Sequence, residues 1–167
     1  MSTSSFIGIK RPSGYIKGIY CHHDGYPEYF GTILTYKYRN ITKIEKLLAL
    51  GDISILGEYI EPKNKNVPHT VMNYQKKTVV AYNRDGNEDL VIRKNLRFED
   101  IINMQVDYIY LWDLEHNVWH TYKMNYDLFG EECAVKEMFV NYKSNIDKLV
   151  ENGYMTSVSK SILSGKK

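Results

Sequence analysis

Cysteine is nearly absent: the 167-residue chain has two, Cys21 and Cys133, far apart in sequence. Two thiols cannot build a disulfide framework, nor a cysteine-based tetrahedral metal set. They read as buried thiols. Long apolar runs are missing too, because no stretch approaches the roughly 18 residues of a membrane-spanning helix. Residues 1–14 hold one short apolar run, ended by Lys10 and Arg11. The expectation is therefore no signal peptide, no membrane partner and a cytoplasmic location. Charge imbalance is also small. Lys and Arg number 22 against 20 Asp and Glu, a net charge of +2. Three of those lysines, Lys160, Lys166 and Lys167, sit in the last segment, so the body is close to neutral. That is unlike a duplex-DNA binder. Phosphate-binding glycine loops, a G-x-S-x-G nucleophile elbow and the deaminase zinc signature are all lacking. No cofactor is expected.

What is present is tyrosine, 15 of 167 residues, within a chain that is 43% apolar. Such a composition argues against a disordered chain. The length suits one domain, placed at residues 1–154, with a flexible basic tail over 155–167. The expected class is α+β: a small antiparallel sheet of β-hairpins, packed against several helices and a long C-terminal amphipathic helix.

Phe6–Lys10 and Tyr15–Cys21 read as a hairpin around the turn Arg11-Pro12-Ser13-Gly14. Gly8 and Gly18 mark a close backbone approach within it. Glu28–Tyr38 and Asn40–Gly51 have helical spacing, the second with a Thr42/Glu45 capping box and Gly51 as its stop. Residues 52–57 read as a loop or one helical turn, and 61–69 as an exposed loop. Thr78–Tyr82 is β-branched and apolar, a strand, and Leu90–Ile92 a short paired strand. Phe98–Met104 reads as a short helix. Tyr108–Trp112 and Val118–Tyr122 form the clearest hairpin, with Tyr108, Tyr110 and Trp112 on one face and Ile109 and Leu111 on the other. Apolar positions from Val135 to Val150 predict a helix over about 131–152.

The densest polar group is Cys21-His22-His23-Asp24-Gly25-Tyr26-Pro27. It offers a thiol, two imidazoles and a carboxylate, types that serve metals or acid–base chemistry. The spacing matches no metal motif. The structural alternative is a corner, with Asp24 as a cap, Gly25 at positive φ and Pro27 opening a helix. Tyr20 and Tyr26 flank it. Arg84, Asp85 and Glu88 form a second polar group, suited to anion or cation binding or to an ion-pair network that locks loops. Convergence of Asp24, Asp52 and Asp85 on one point is the sign that would favour a cation.

Three segments carry a resemblance: G-I-Y-C-H-x-D-G-Y-P at 18–27, L-G-D-I-S-x-L-G at 50–57 and V-A-Y-x-R-D at 80–85. Together they resemble an uncharacterised family encoded by phages, prophages and plasmids, over roughly residues 15–125. His23 stands where the family usually has an aromatic residue, and Gly86 and Asn87 replace its arginine and glycine. The resemblance implies a mobile-element context and a compact α+β domain, and carries no mechanism.

On this reading the leading function is non-enzymatic: a small interaction protein binding a host or phage macromolecule, with a host defence component as the expected protein partner. The candidate contact residues are Tyr20, His22, His23, Asp24, Tyr26, Arg84, Asp85, Glu88, Tyr108, Tyr110 and Trp112. Tyr and Trp are favoured at such interfaces. Two alternatives stand beside it. One is nucleic-acid binding on an aromatic sheet face. The other is a small metal-assisted hydrolase or nucleotide-binding protein using the CHHD loop. The aromatic face and the C-terminal helix leave a homodimer open.

Overall fold

The computed structural model describes residues 2–124 and 135–138. Its strands are β1 (Ser5–Lys10), β2 (Ile16–Cys21), β3 (Ile53–Ile55), β4 (Val80–Ala81), β5 (Arg93–Leu96), β6 (Tyr108–Asp113), β7 (Val118–Met124) and β8 (Val135–Met138). The helices are α1 (Thr32–Lys37), α2 (Ile41–Leu48), α3 (Tyr82–Gly86) and α4 (Phe98–Ile102), with a π-helical turn over Pro27–Gly31 leading into α1. The class is the expected α+β. No helix among the described residues is long and apolar enough to cross a membrane.

All these strands join one sheet in the order β4-β3-β2-β1-β6-β7-β8, with β5 also on β2. It is mixed, not purely antiparallel. β1 runs parallel to β6, and β2 parallel to β3. Parallel neighbours need a crossover rather than a hairpin. Between β2 and β3 that crossover is the π turn, α1 and α2. Edge strand β8 pairs with β7 through Thr121↔Met138 to Met124↔Val135. These four residues are extended where a helix was expected. The rest of that helix and the 155–167 tail lie outside the described residues.

Strand alternation sorts side chains onto two faces. Ile7, Ile9, Ile19, Cys21, Tyr110 and Trp112 face the π turn, α1 and α2, which contribute Tyr29, Phe30, Ile33, Leu34, Ile44, Leu47 and Leu48. On the opposite face Phe6, Ile16, Ile109, Leu111 and Met124 meet Ile101 and Val106. Both sides of the central strands are therefore covered.

Local chemistry revises several boundaries. Asn40, not Thr42, caps α2, its side chain accepting from the Lys43 N–H at 2.9 Å. Gly51 stops that helix at φ +75°, a backbone region glycine enters without steric cost. Residues 53–55 form β3 rather than a loop, because Cys21 and the backbone beyond it supply hydrogen-bond partners. The strand expected at 90–92 begins instead at Arg93.

Candidate functional site

The three motif segments lie on neighbouring strands. In the first, the backbone N–H groups of His22 and His23 donate to the carbonyls of Ile53 and Ser54 at 3.1 and 2.9 Å, extending the β2–β3 ladder. Asp24, not Gly25, takes the left-handed conformation, at φ +57°. Gly25 is needed for proximity. A Cβ there would meet the Ser5 side chain at 2.7 Å. Its N–H donates to Thr3 and its carbonyl accepts from the buried Tyr110 hydroxyl at 2.7 Å. The chain then turns through Tyr26, whose side chain makes no cap, into Pro27. Pro27 opens the helical turn as expected, but the positive φ expected of Gly25 falls on Asp24, and no side chain caps the turn.

Cys21 is fully buried, its Sγ directed at the carbonyls of His23 and Ser54 at 3.4 and 3.6 Å. Burial pushes the thiol well above its ordinary 9.0. A protonated thiol is thus favoured in the folded chain, and its contribution is intact below pH 9 and lost as pH rises beyond it. The unfolding free-energy difference between wild type and Cys21→Ala should shrink above pH 9 by up to about 1.4 kcal/mol per pH unit. Urea titrations at pH 8, 9 and 10 measure it; parallel curves for both proteins would refute the assignment.

In the second segment Asp52 closes a gap in the sheet edge. β3 and β5 share one edge of β2, end to end. Between them the Tyr20 N–H would lack a strand partner, and Asp52 Oδ1 accepts it at 2.9 Å. The Arg93 guanidinium grips both oxygens of the same carboxylate, at 2.7 and 3.3 Å.

The third segment buries its charges. Asp85, 5% exposed, accepts the Ala81 N–H at 2.8 Å and pairs with Arg84 through both oxygens, at 2.9 and 3.0 Å. Arg84 also donates to the carbonyls of Ile60 and Val79 at 2.8 Å each. His69 completes the group. Its Nδ1 accepts from the Gln75 N–H at 3.0 Å, which leaves the proton on Nε2, facing the Val79 carbonyl at 2.9 Å. His69 lies in the segment read as an exposed loop. Its ring is 4% exposed, and no local pattern marks it out.

The expected contact residues thus separate. Arg84 and Asp85 hold backbone. Tyr110 and Trp112 are buried, so the aromatic face is a core face. Phe30 stacks on Tyr110 at 4.8 Å, and Trp119 meets Trp112 edge-on at 5.4 Å. Tyr108 is half-buried on this helix-covered side, its phenol raised first by burial and then by Glu28. Glu88 is exposed, its backbone tied to Tyr82 and Asn83. Asp24, Asp52 and Asp85 do not form a shared carboxylate centre, since Asp52 and Asp85 each close a separate network.

One group stays outward. The Tyr20 hydroxyl lies 2.8 Å from His22 Nδ1, and the His22 and His23 rings meet edge-on at 4.5 Å. His23 Nδ1 lies 2.7 Å from the Ser2 hydroxyl. His22 is exposed, and Tyr20, His23, Asp24 and Tyr26 are half-buried. Burial, then neighbouring Tyr82, raises the Tyr20 phenol. No protein-family model, curated protein or solved structure matches this chain. The geometry of the site therefore carries the functional reading.

A second outward group lies in the β6–β7 connection. Asp113 Oδ2 lies 2.8 Å from His116 Nδ1 and 3.4 Å from His120 Nε2. The His116 hydrogen bond, helped by the Glu115 and His116 N–H groups, holds the Asp113 carboxyl down to about 2. In sequence this connection is a short polar stretch, Asp113 to Asn117. Its signal was the D-x-E-H turn followed by His120 on the returning strand.

Proposed function

We propose that this is a small, non-enzymatic interaction protein of a mobile genetic element, which binds a host or phage macromolecule and antagonises a host defence component. The mobile-element context rests on the three-motif resemblance. The observation that carries the binding reading is the division of polar groups: Asp52, Arg84, Asp85 and His69 bind internal backbone or each other, whereas Tyr20, His22 and His23 form an outward aromatic and imidazole edge. Amphipathic rings offer large contact area with few rotatable bonds.

The alternatives lose support at particular residues. A stacking platform needs Tyr110 and Trp112 in solvent, and both are buried. A hydrolytic set needs Asp85 open to substrate, and it is sealed against Ala81 and Arg84.

The test is quantitative capture from the lysate of a bacterial host, comparing wild type with His22→Ala/His23→Ala. These outward side chains should leave stability within about 0.5 kcal/mol. The expected result is a saturable protein partner retained by wild type and lost by the double variant. Equal capture by both, or salt-sensitive oligonucleotide binding in place of a protein, would overturn the reading.

A further inference from the structure

We propose that the β6–β7 hairpin holds a divalent transition-metal site formed by Asp113, Glu115, His116 and His120. The donor atoms of Asp113, Glu115 and His116 lie within 4.8 Å of one another. The fourth group comes from the sheet register. Leu111 pairs with His120 and Asp113 with Val118, so Asp113 and His120 share a sheet face on adjacent strands. The Asp113 carboxylate lies between the two imidazoles, 2.8 Å from one and 3.4 Å from the other. Two ligands on one tetrahedral zinc ion sit about 3.3 Å apart. Asp113 is near that spacing from both imidazoles, whereas His120 stands outside the group of donors within 4.8 Å of one another, so a bound ion would draw its side chain in from the adjacent strand.

The carboxylate is already positioned. Asp113 Oδ1 accepts the Glu115 and His116 N–H groups at 3.0 and 3.3 Å, and the Asn117 N–H closes on the Asp113 carbonyl at 2.7 Å. Oδ2 is thereby left toward the imidazoles. Asn117 takes φ +55° to complete the turn. Two imidazoles with two carboxylates suit zinc and its first-row neighbours, whereas magnesium and calcium prefer all-oxygen shells. Four protein ligands make a closed, structural site. A bound ion would pin the β6–β7 turn, at some distance in sequence from the CHHDGYP corner, so the inference is independent of the interaction reading.

The experiment is calorimetric titration of the full chain with Zn²⁺ alone, with Co²⁺ absorption as a check on four-coordination. Mg²⁺ is the negative control. The expected result is one equivalent of Zn²⁺, weakened at least about tenfold by His116→Gln and by His120→Gln, and unchanged by His22→Ala/His23→Ala. If His120→Gln fails to fold, His116→Gln decides alone, because that side chain is 67% exposed. Absence of saturable uptake, equal affinity for Mg²⁺, or loss in the His22/His23 variant with retention in the hairpin variants overturns the proposal.

Discussion

Asp85→Ala should destabilise the fold by about 3–5 kcal/mol, the range for removing one partner of a buried ion pair. Two groups lose an acceptor and a third loses a neighbouring charge. The Ala81 N–H at the sheet edge becomes unpaired, and Arg84 loses its counter-charge while still bound to Ile60 and Val79. His69 Nε2, 3.4 Å from Asp85 Oδ2, loses a nearby carboxylate. Against a typical total of about 5–15 kcal/mol, such a loss leaves a marginal domain. Asp85→Asn should fall between, since its amide oxygen can still accept from Ala81 but cannot neutralise Arg84. Urea unfolding of the three proteins at one pH measures the order. An Asp85→Ala midpoint equal to wild type would show that the network contributes nothing net.

Gly18→Ala should cost about 3 kcal/mol, the upper end of overpacking penalties. Gly18 and Gly8 pair across β1 and β2, and the Phe6 ring lies over both positions. A Cβ on Gly18 would collide with the Phe6 ring and with the Ile7 carbonyl oxygen. The ring can rotate, but the carbonyl belongs to the strand pair. Gly8→Ala should cost less, because its two nearest contacts, 2.7 and 2.8 Å, are side-chain atoms of Phe6 and Ile16, and its backbone contact, the Lys17 carbonyl oxygen at 2.9 Å, is looser than the Ile7 contact at Gly18. Gly14→Ala provides the contrast. Nothing lies within 4 Å, and only its φ of +91° opposes the substitution, so about 1 kcal/mol is expected. Thermal or urea denaturation should rank the costs as Gly18, then Gly8, then Gly14; an equal cost at all three would refute the packing account.

Much of this architecture is legible in the sequence. The β1–β2 and β6–β7 hairpins, the helical segments before residue 51 and the close approach at Gly8 and Gly18 all follow from periodicity and turn chemistry. Those are local properties, carried by residues a few positions apart. Even the covering of both faces of β6 was implied, because aromatic residues on one side and aliphatic residues on the other leave no polar face. β3 was missed because three residues of mixed character carry no period of their own. Such a strand exists only where a neighbour presents an unpaired edge, here the end of β2.

The site was less legible, for a related reason. Composition marked His22, His23, Asp24, Arg84 and Asp85 as chemically capable. It could not tell which already had partners. Asp52 answers to Tyr20 and Arg93, Tyr110 to Gly25, and His69 to Gln75 and Val79. Most of these partners lie many residues away. The sequence by itself determined the elements, their apolar faces and the supply of polar groups. Only the tertiary structure decided which of those groups are satisfied inside and which face outward, because hydrogen-bond partnership depends on where distant backbone segments meet.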